Sequence, residues 1–170
     1  KNNELNEKKI KLNSIESELN GTKNVLKNET DKELDEVLED YLKVSFKDTT
    51  SSPTVNNAKV YINNELITNL VIPTGTTSIL KYAFRGWKWV NSIEIPNTVK
   101  TIEGNVFSYT NIRNIVIPEG VTSIGGSTFA YCTNLNSITL PSTLTSIGEA
   151  LFDRCTSLLE LTIFTTFAHF

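Results

Sequence analysis

The chain has 170 residues, 39% apolar and 21% charged, which is enough apolar material for a sizeable core and too much for an overall disordered segment. A formal net charge of −3 argues against a nucleic-acid partner, since that recognition needs a basic face. No apolar run approaches the roughly 18 residues of a spanning helix.

The chain begins at Lys1 and holds no methionine, which reads as a processed or truncated product, with any signal peptide or anchor outside it. Residues 1–46 form a helical, coiled-coil-like segment by pattern. Leu5, Leu12, Leu19 and Leu26 fall at steps of seven among Lys, Glu and Asn, as in one row of a coiled-coil seam. The second row, Lys8, Ile15, Thr22 and Glu29, has one apolar member, and Asn20-Gly21 interrupts it. Thr30 and Glu33 make a capping box that opens a further helix, with Leu34, Val37, Leu38, Tyr41 and Leu42 on one face. Two or three helices are expected, serving either as a spacer or small subdomain or as a multimerising stalk.

Residues 47–57, with Thr49-Thr50-Ser51-Ser52-Pro53 at their centre, have the composition of a linker. In residues 58–67, Val60-Tyr61-Ile62 and Glu65-Leu66-Ile67 flank Asn63-Asn64. Asn tolerates the left-handed backbone of tight turns, so a hairpin is expected here, capping the segment carboxyl-terminal to it.

From about residue 66 to 163 a phrase recurs. Pro73, Pro96, Pro118 and Pro141 stand 23, 22 and 23 residues apart, and the same steps separate Ile79, Ile102, Ile124 and Ile147 and again Phe84, Phe107, Phe129 and Phe152. A period in the twenties marks a solenoid whose units are too small to bury an apolar face without stacking. In Val90 to Pro96 and Leu135 to Pro141 the period of 2 of a half-buried strand points Ile93 and Ile95 inward. Proline then ends the ladder, having no backbone donor. Val99, Val121 and Leu144, then the isoleucines and phenylalanines, refill the interior from the opposite side.

The unit resembles the BspA-like leucine-rich repeat, also known as the Treponema pallidum type. Its best matches run from Ile138 through Leu140-Pro141, Ile147-Gly148 and Phe152 to Cys155, and from Ile115 through Ile117-Pro118, Val121, Ile124-Gly125 and Phe129 to Cys132. Leu80 and Glu103 depart from it where Gly is wanted, and Trp87 and Thr110 where Cys is wanted. The resemblance implies an α/β leucine-rich-repeat solenoid of short parallel strands in a right-handed coil over residues 58–170. It also implies a secreted or cell-surface, adhesin-like protein of a host-associated bacterium or protist.

No catalytic constellation is visible. The single His169 sits next to the carboxyl end, which leaves His-based triads and metal sites without their central group. Gly125-Gly126-Ser127 lacks the Lys-Ser/Thr ending of a phosphate loop and reads as a turn. Glu94, Glu119, Glu149 and Asp153 belong to different columns, so no paired carboxylates are expected. Cys132 and Cys155 share a column on successive turns. A bond between them is conceivable, but stacked equivalent side chains point in parallel, so two buried thiols are the preferred reading. Two cysteines without further ligands cannot complete a zinc site. No cofactor or metal is expected.

Function then falls to a surface. Three columns face outward from the strands. The first is Thr68, Asn91, Arg113, Asn136 and Leu159; the second is Asn69, Ser92, Asn114, Ser137 and Glu160; the third is Val71, Glu94, Val116, Thr139 and Thr162. Short polar side chains that both donate and accept suit a protein or glycan held by many modest contacts, which the resemblance implies is of host or bacterial origin; alternatively they are plain solvated strand positions. Asn91, Ser92, Glu94, Arg113, Asn114, Asn136, Ser137 and Thr139 are the candidates. Trp89, beside Lys88 and near Arg85, is a candidate anchor or else packs under the amino-terminal helices, whereas Trp87 in the cysteine column belongs to the core.

The alternative function is structural: a spacer or self-assembly unit acting through residues 1–46 or the carboxyl end. There Leu158 to Ile163 begins a fifth strand, with Phe164 in the proline position and no return limb. That end is expected to be covered by another copy or by further repeats.

Overall fold

The computed structural model describes Glu36, Leu38, Tyr41, Leu42 and residues 59–62 and 65–164. The leucine row Leu5 to Leu26, the Thr30 and Glu33 capping box, the linker 47–57, the Asn63-Asn64 turn and His169 lie outside the described residues. The chain divides into two compact units, Lys1–Val37 and Leu38–Phe170. In the first, Glu36 is helical and exposed.

The second unit opens with helical residues Leu38, Tyr41 and Leu42, of which both leucines are buried. The Tyr41 ring meets Phe84 at 5.8 Å and Trp87 at 5.6 Å, and its hydroxyl donates to the carbonyl of Ala83. Next come β1 (Tyr61–Ile62) and β2 (Glu65–Leu66), an antiparallel pair closed by Ile67 N donating to Val60 O at 3.0 Å. This is the expected hairpin.

Each repeat then contributes two strands: β3 (Asn69–Val71) and β4 (Ser78–Ile79), β5 (Ser92–Glu94) and β6 (Thr101–Ile102), β7 (Asn114–Val116) and β8 (Ser123–Ile124), β9 (Ser137–Leu140) and β10 (Ser146–Ile147), and last β11 (Glu160–Ile163). All are parallel to their neighbours and paired residue for residue along the columns, as Ile115 with Ile138 and Ile102 with Ile124. The second strand of each unit is not foreseen from the sequence. At two residues, it is too short to show a period. Its sheet is nevertheless continuous through β4, β6, β8 and β10.

The return limb of the described turns carries no helix. It is held by backbone bonds to the next turn at alternate residues: Phe107 N to Thr128 O at 3.0 Å, Tyr109 N to Ala130 O at 3.0 Å, and Phe129 N to Leu151 O at 3.1 Å. Two positions per turn take left-handed backbone, Tyr82, Asn105, Ser127 and Ala150 in one column and Gly86, Tyr109, Tyr131 and Arg154 in the other. These twists compress the limb to its tight repeat length.

The interior is a ladder of rings. Phe84, Phe107, Phe129 and Phe152 stack at 5.9, 5.8 and 5.9 Å, and Trp87 meets Phe84 edge-on at 5.0 Å. Each buried ring contributes about 1.5–3 kcal/mol by area removed from water. Some expected core positions are not sealed: Ile147 and Ile95, and with them Leu144, Phe152 and Cys155, which are half-buried where the sequence reading placed them in the interior. Ile147 is exposed because no described turn stacks on β10. Ile95 is only half-buried, whereas Ile72, Ile117 and Leu140 in its column are 1–2% exposed.

The cause of the Ile95 opening is the single 22-residue step. Three units turn before the strand through a bond across three residues, Val90 N to Trp87 O at 3.1 Å, Leu135 N to Cys132 O at 3.0 Å and Leu158 N to Cys155 O at 3.1 Å. The unit between Thr110 and Ile112 is one residue shorter and lacks this turn. Its strand β7 therefore arrives out of step with β5. The outer sheet splits there into β3-β5 and β7-β9-β11.

Candidate functional site

The exposed strand face carries the residues singled out from the sequence. Asn69, Ser92, Asn114 and Glu160 are exposed and Ser137 half-buried, with Asn69 opposite Ser92 and Asn114 opposite Ser137 opposite Glu160. The Ser92 hydroxyl donates to Asn69 Oδ1, and the Ser137 hydroxyl donates to Asn114 Oδ1 at 2.8 Å. Each pair fixes one amide in place by its oxygen and leaves the amide N–H donors for another acceptor.

Asn91, Arg113 and Asn136 form an exposed row at the strand entrances, with Asn91 N bonded to Thr68 O at 2.8 Å and Asn136 N to Arg113 O at 2.7 Å. Glu94 and Val116 are exposed and Thr139 half-buried, each paired in register with Val71, Thr139 and Thr162 in the order of the chain. The structure thus places Ser92, Glu94, Asn114, Ser137 and Thr139 on the outward side of the strands and Asn91, Arg113 and Asn136 exposed at their entrances, in two groups. Asn91, Ser92 and Glu94 stand on one side of the split, and Arg113, Asn114, Asn136, Ser137 and Thr139 on the other.

Trp89 is set apart. It is half-buried, and the Lys59 ammonium lies over its ring at 4.5 Å. Arg85 does not flank it but lies over Tyr109 at 4.8 Å. Trp87 is core, as expected.

A second surface escapes the sequence reading. On the return limb Tyr109 and Tyr131 stack at 4.5 Å with rings 7° from parallel, and the Arg154 guanidinium lies over Tyr131 at 5.5 Å. With Arg85 at the other end, four side chains from successive turns form one cation–aromatic column, in which both faces of each ring are occupied. The 22-residue spacing of the two tyrosines was the available signal.

The cysteines are free thiols. Burial pushes the Cys132 thiol up to about 11, and burial also raises that of Cys155. On the turn after β7, Glu119 accepts from Ser142 N and Ser142 Oγ at 3.0 Å each, and the backbone donor in particular lowers its carboxyl pKa. Among the described residues no three His, Cys, Asp or Glu side chains gather in a metal-binding group, and no helix is long and apolar enough to cross a membrane.

Comparison with known proteins agrees with this architecture. The model of the BspA type leucine rich repeat region matches residues 55–170 in 6 copies. A leucine-rich repeat protein from Bacteroides ovatus ATCC 8483 superposes with a TM-score of 0.51 at 25% identity, over 58% of this chain and 31% of its own. The Treponema pallidum leucine-rich repeat protein gives a TM-score of 0.51 at 24% identity, over 56% of each chain, and supports the fold alone. The chain therefore spans 31% and 56% of the lengths of these two proteins. No curated protein matches it. With its columns, its paired sheets and a family match over residues 55–170, the chain belongs to the BspA-type leucine-rich repeat family.

Proposed function

We propose that the chain is a non-catalytic binding module of a secreted or cell-surface, adhesin-like protein, taking a protein or glycan partner on the exposed strand face. Leucine-rich repeat proteins generally mediate protein interactions, and this family supplies that expectation. The observation that carries the reading to this face is the register of its polar side chains. Asn69 with Ser92 and Asn114 with Ser137 are prearranged by hydrogen bonds to each other, so a partner meets donors already ordered on rigid strands. The carboxylates Glu94, Glu119, Glu149 and Asp153 stand in separate columns, which supports binding over chemistry.

The test is a screen of the chain against host matrix proteins and glycans, beside a variant with Asn91, Arg113 and Asn136 all changed to Ala. At least one interaction should be lost in the variant with the fold intact. Retention of every interaction would overturn the exposed-face reading.

A second reading, self-association as a spacer or assembly unit, is favoured by one observation. Ile147, Leu161, Ile163 and Phe164 expose apolar surface beside the outer edges of β10 and β11.

A further inference from the structure

The split between β5 and β7 has a shape and a chemistry of its own. At intact joints the ladder is closed at its exit by Ile72 N donating to Glu94 O and Ile117 N donating to Thr139 O, both at 2.9 Å. Ile95 holds the same position in the turn between them, and among the described residues its N–H has no such bond. The entrance bond is likewise missing: Asn91 O receives nothing from Arg113 or Asn114, although Arg113 O and Asn136 O each accept from the next turn.

Over this fault lies an open crevice of about 470 Å³, lined by the half-buried Ile95 and Pro118 above the buried Ile93 and Ile115 and by the exposed Glu94 and Val116, with Asn114, Ser137 and Thr139 beyond. Here the outer sheet of the described strands is interrupted. Ile95 is half-open there, while its column mates are sealed.

We infer that this crevice is the anchoring subsite of the strand face, holding one branched or aromatic apolar side chain of an extended peptide segment that carries basic residues beside it. The inference rests on the exposed-face reading and narrows it. The apolar lining selects the anchor, and burying a leucine-sized side chain there removes it from water. The unpaired Ile95 N–H and Asn91 carbonyl offer main-chain bonds of the kind that hold an added strand. The exposed Glu94 carboxylate sets the preferred charge, since complementary rim charges govern encounter and orientation. The polar Asn–Ser pairs on either side would then contribute register.

The test uses the full 170-residue chain and two acetylated, amidated nonapeptides. One alternates Thr and Lys around a central Leu; the other replaces that Leu with Ser. Backbone amide signals are followed by NMR. The Leu peptide should shift Ile93 to Ile95 and Asn114 to Val116 saturably, and the Ser peptide should bind about ten- to a hundredfold more weakly. Glu94→Lys should weaken the Leu peptide severalfold.

A decisive variant inserts one Thr between Thr110 and Asn111, restoring a 23-residue unit and closing the ladder. It should lose the Leu peptide while gaining amide protection at Ile95. Equal binding of the two peptides, shifts confined to other residues, or undiminished binding by the insertion variant or by Glu94→Lys would overturn the inference. Should a partner found in the screen be lost by the Asn91, Arg113 and Asn136 variant but kept by the insertion variant, the crevice fails and the broader face stands.

Discussion

The Cys132 thiol donates to the carbonyl oxygen of Phe107 at 3.1 Å, and Cys155 repeats the contact one turn later on Phe129 at 3.0 Å. Both cysteines therefore face the preceding turn and tie off its backbone, which is why equivalent side chains one rung apart remain thiols. Thr110 fills the same position in the turn before and bonds the same Phe107 oxygen at 2.8 Å.

This burial makes stability depend on pH. It raises the folded pKa of Cys132 to about 11, above an unfolded thiol near about 8.5. The protonated form is the one the fold favours, so its stabilisation is complete below about pH 8.5 and is lost as pH rises through 11. Denaturant unfolding should show a loss of up to about 3 kcal/mol across that window, beyond the loss seen in Cys132→Ser. Cys155, which is less buried, should react first with a thiol reagent. Identical pH profiles for the two proteins would contradict the assignment.

Phe129 is stacked on both sides, against Phe107 at 5.8 Å and Phe152 at 5.9 Å, and is fully buried. Phe129→Ala should destabilise by about 3–5 kcal/mol, the range for truncating a large core aromatic. Phe152→Ala should cost less, because that ring is half-buried and has one ring neighbour in the ladder. Thr133→Ala is a suitable exposed control. Glu119 is not, since it accepts two bonds from Ser142. Thermal unfolding of the three variants should rank them in that order.

The columns legible in the sequence were those with strong chemistry. Pro73, Pro96, Pro118 and Pro141 end their ladders, and the phenylalanines stack where their spacing put them, so the fold could be read from periodicity. The second sheet could not, because strands such as Ser123–Ile124 are too short to display alternation. Ile95 reads as inward like its column mates. The 22-residue step that opens it is visible, but only the hydrogen bonds of the neighbouring turns show that one missing residue unpairs a strand. Trp89 looks like an anchor by residue type, yet Lys59, remote in sequence, covers its ring.

Glycine has two different values in the return limb. At Gly148 an added Cβ would overlap the backbone of Gly126, and at Gly125 that of Gly104, and neither backbone can yield as a flexible side chain would. Gly148→Ala and Gly125→Ala should each cost about 1–3 kcal/mol as overpacking. At Ser127 the reverse holds. Its φ of 57° is left-handed and disfavoured for a residue with a Cβ, so Ser127→Gly should be neutral or stabilise by up to about 1 kcal/mol. Calorimetry should show a loss of stability in both alanine variants and none in Ser127→Gly.

Among the described residues no strand pairs with the outer edge of β11, and its apolar side chains are exposed. Leu161 and Ile163 are 49% and 56% exposed, while Ile138 and Leu140, their partners in register, are 1% and 2% exposed, and Phe164 beside them is 57% exposed. A parallel strand with one free edge and an apolar flank is a surface that pairs with another chain when concentration allows. The purified chain should therefore show a weight-average mass that rises with concentration in sedimentation equilibrium. Ile163→Asp combined with Phe164→Asp should hold it monomeric, because a charge in the new contact would be desolvated without a partner. Near-UV circular dichroism of the Trp87 and Tyr41 cluster, at the far end of the stack, should be unchanged by these substitutions. A parent chain that is monomeric at every concentration would show that this edge does not mediate assembly.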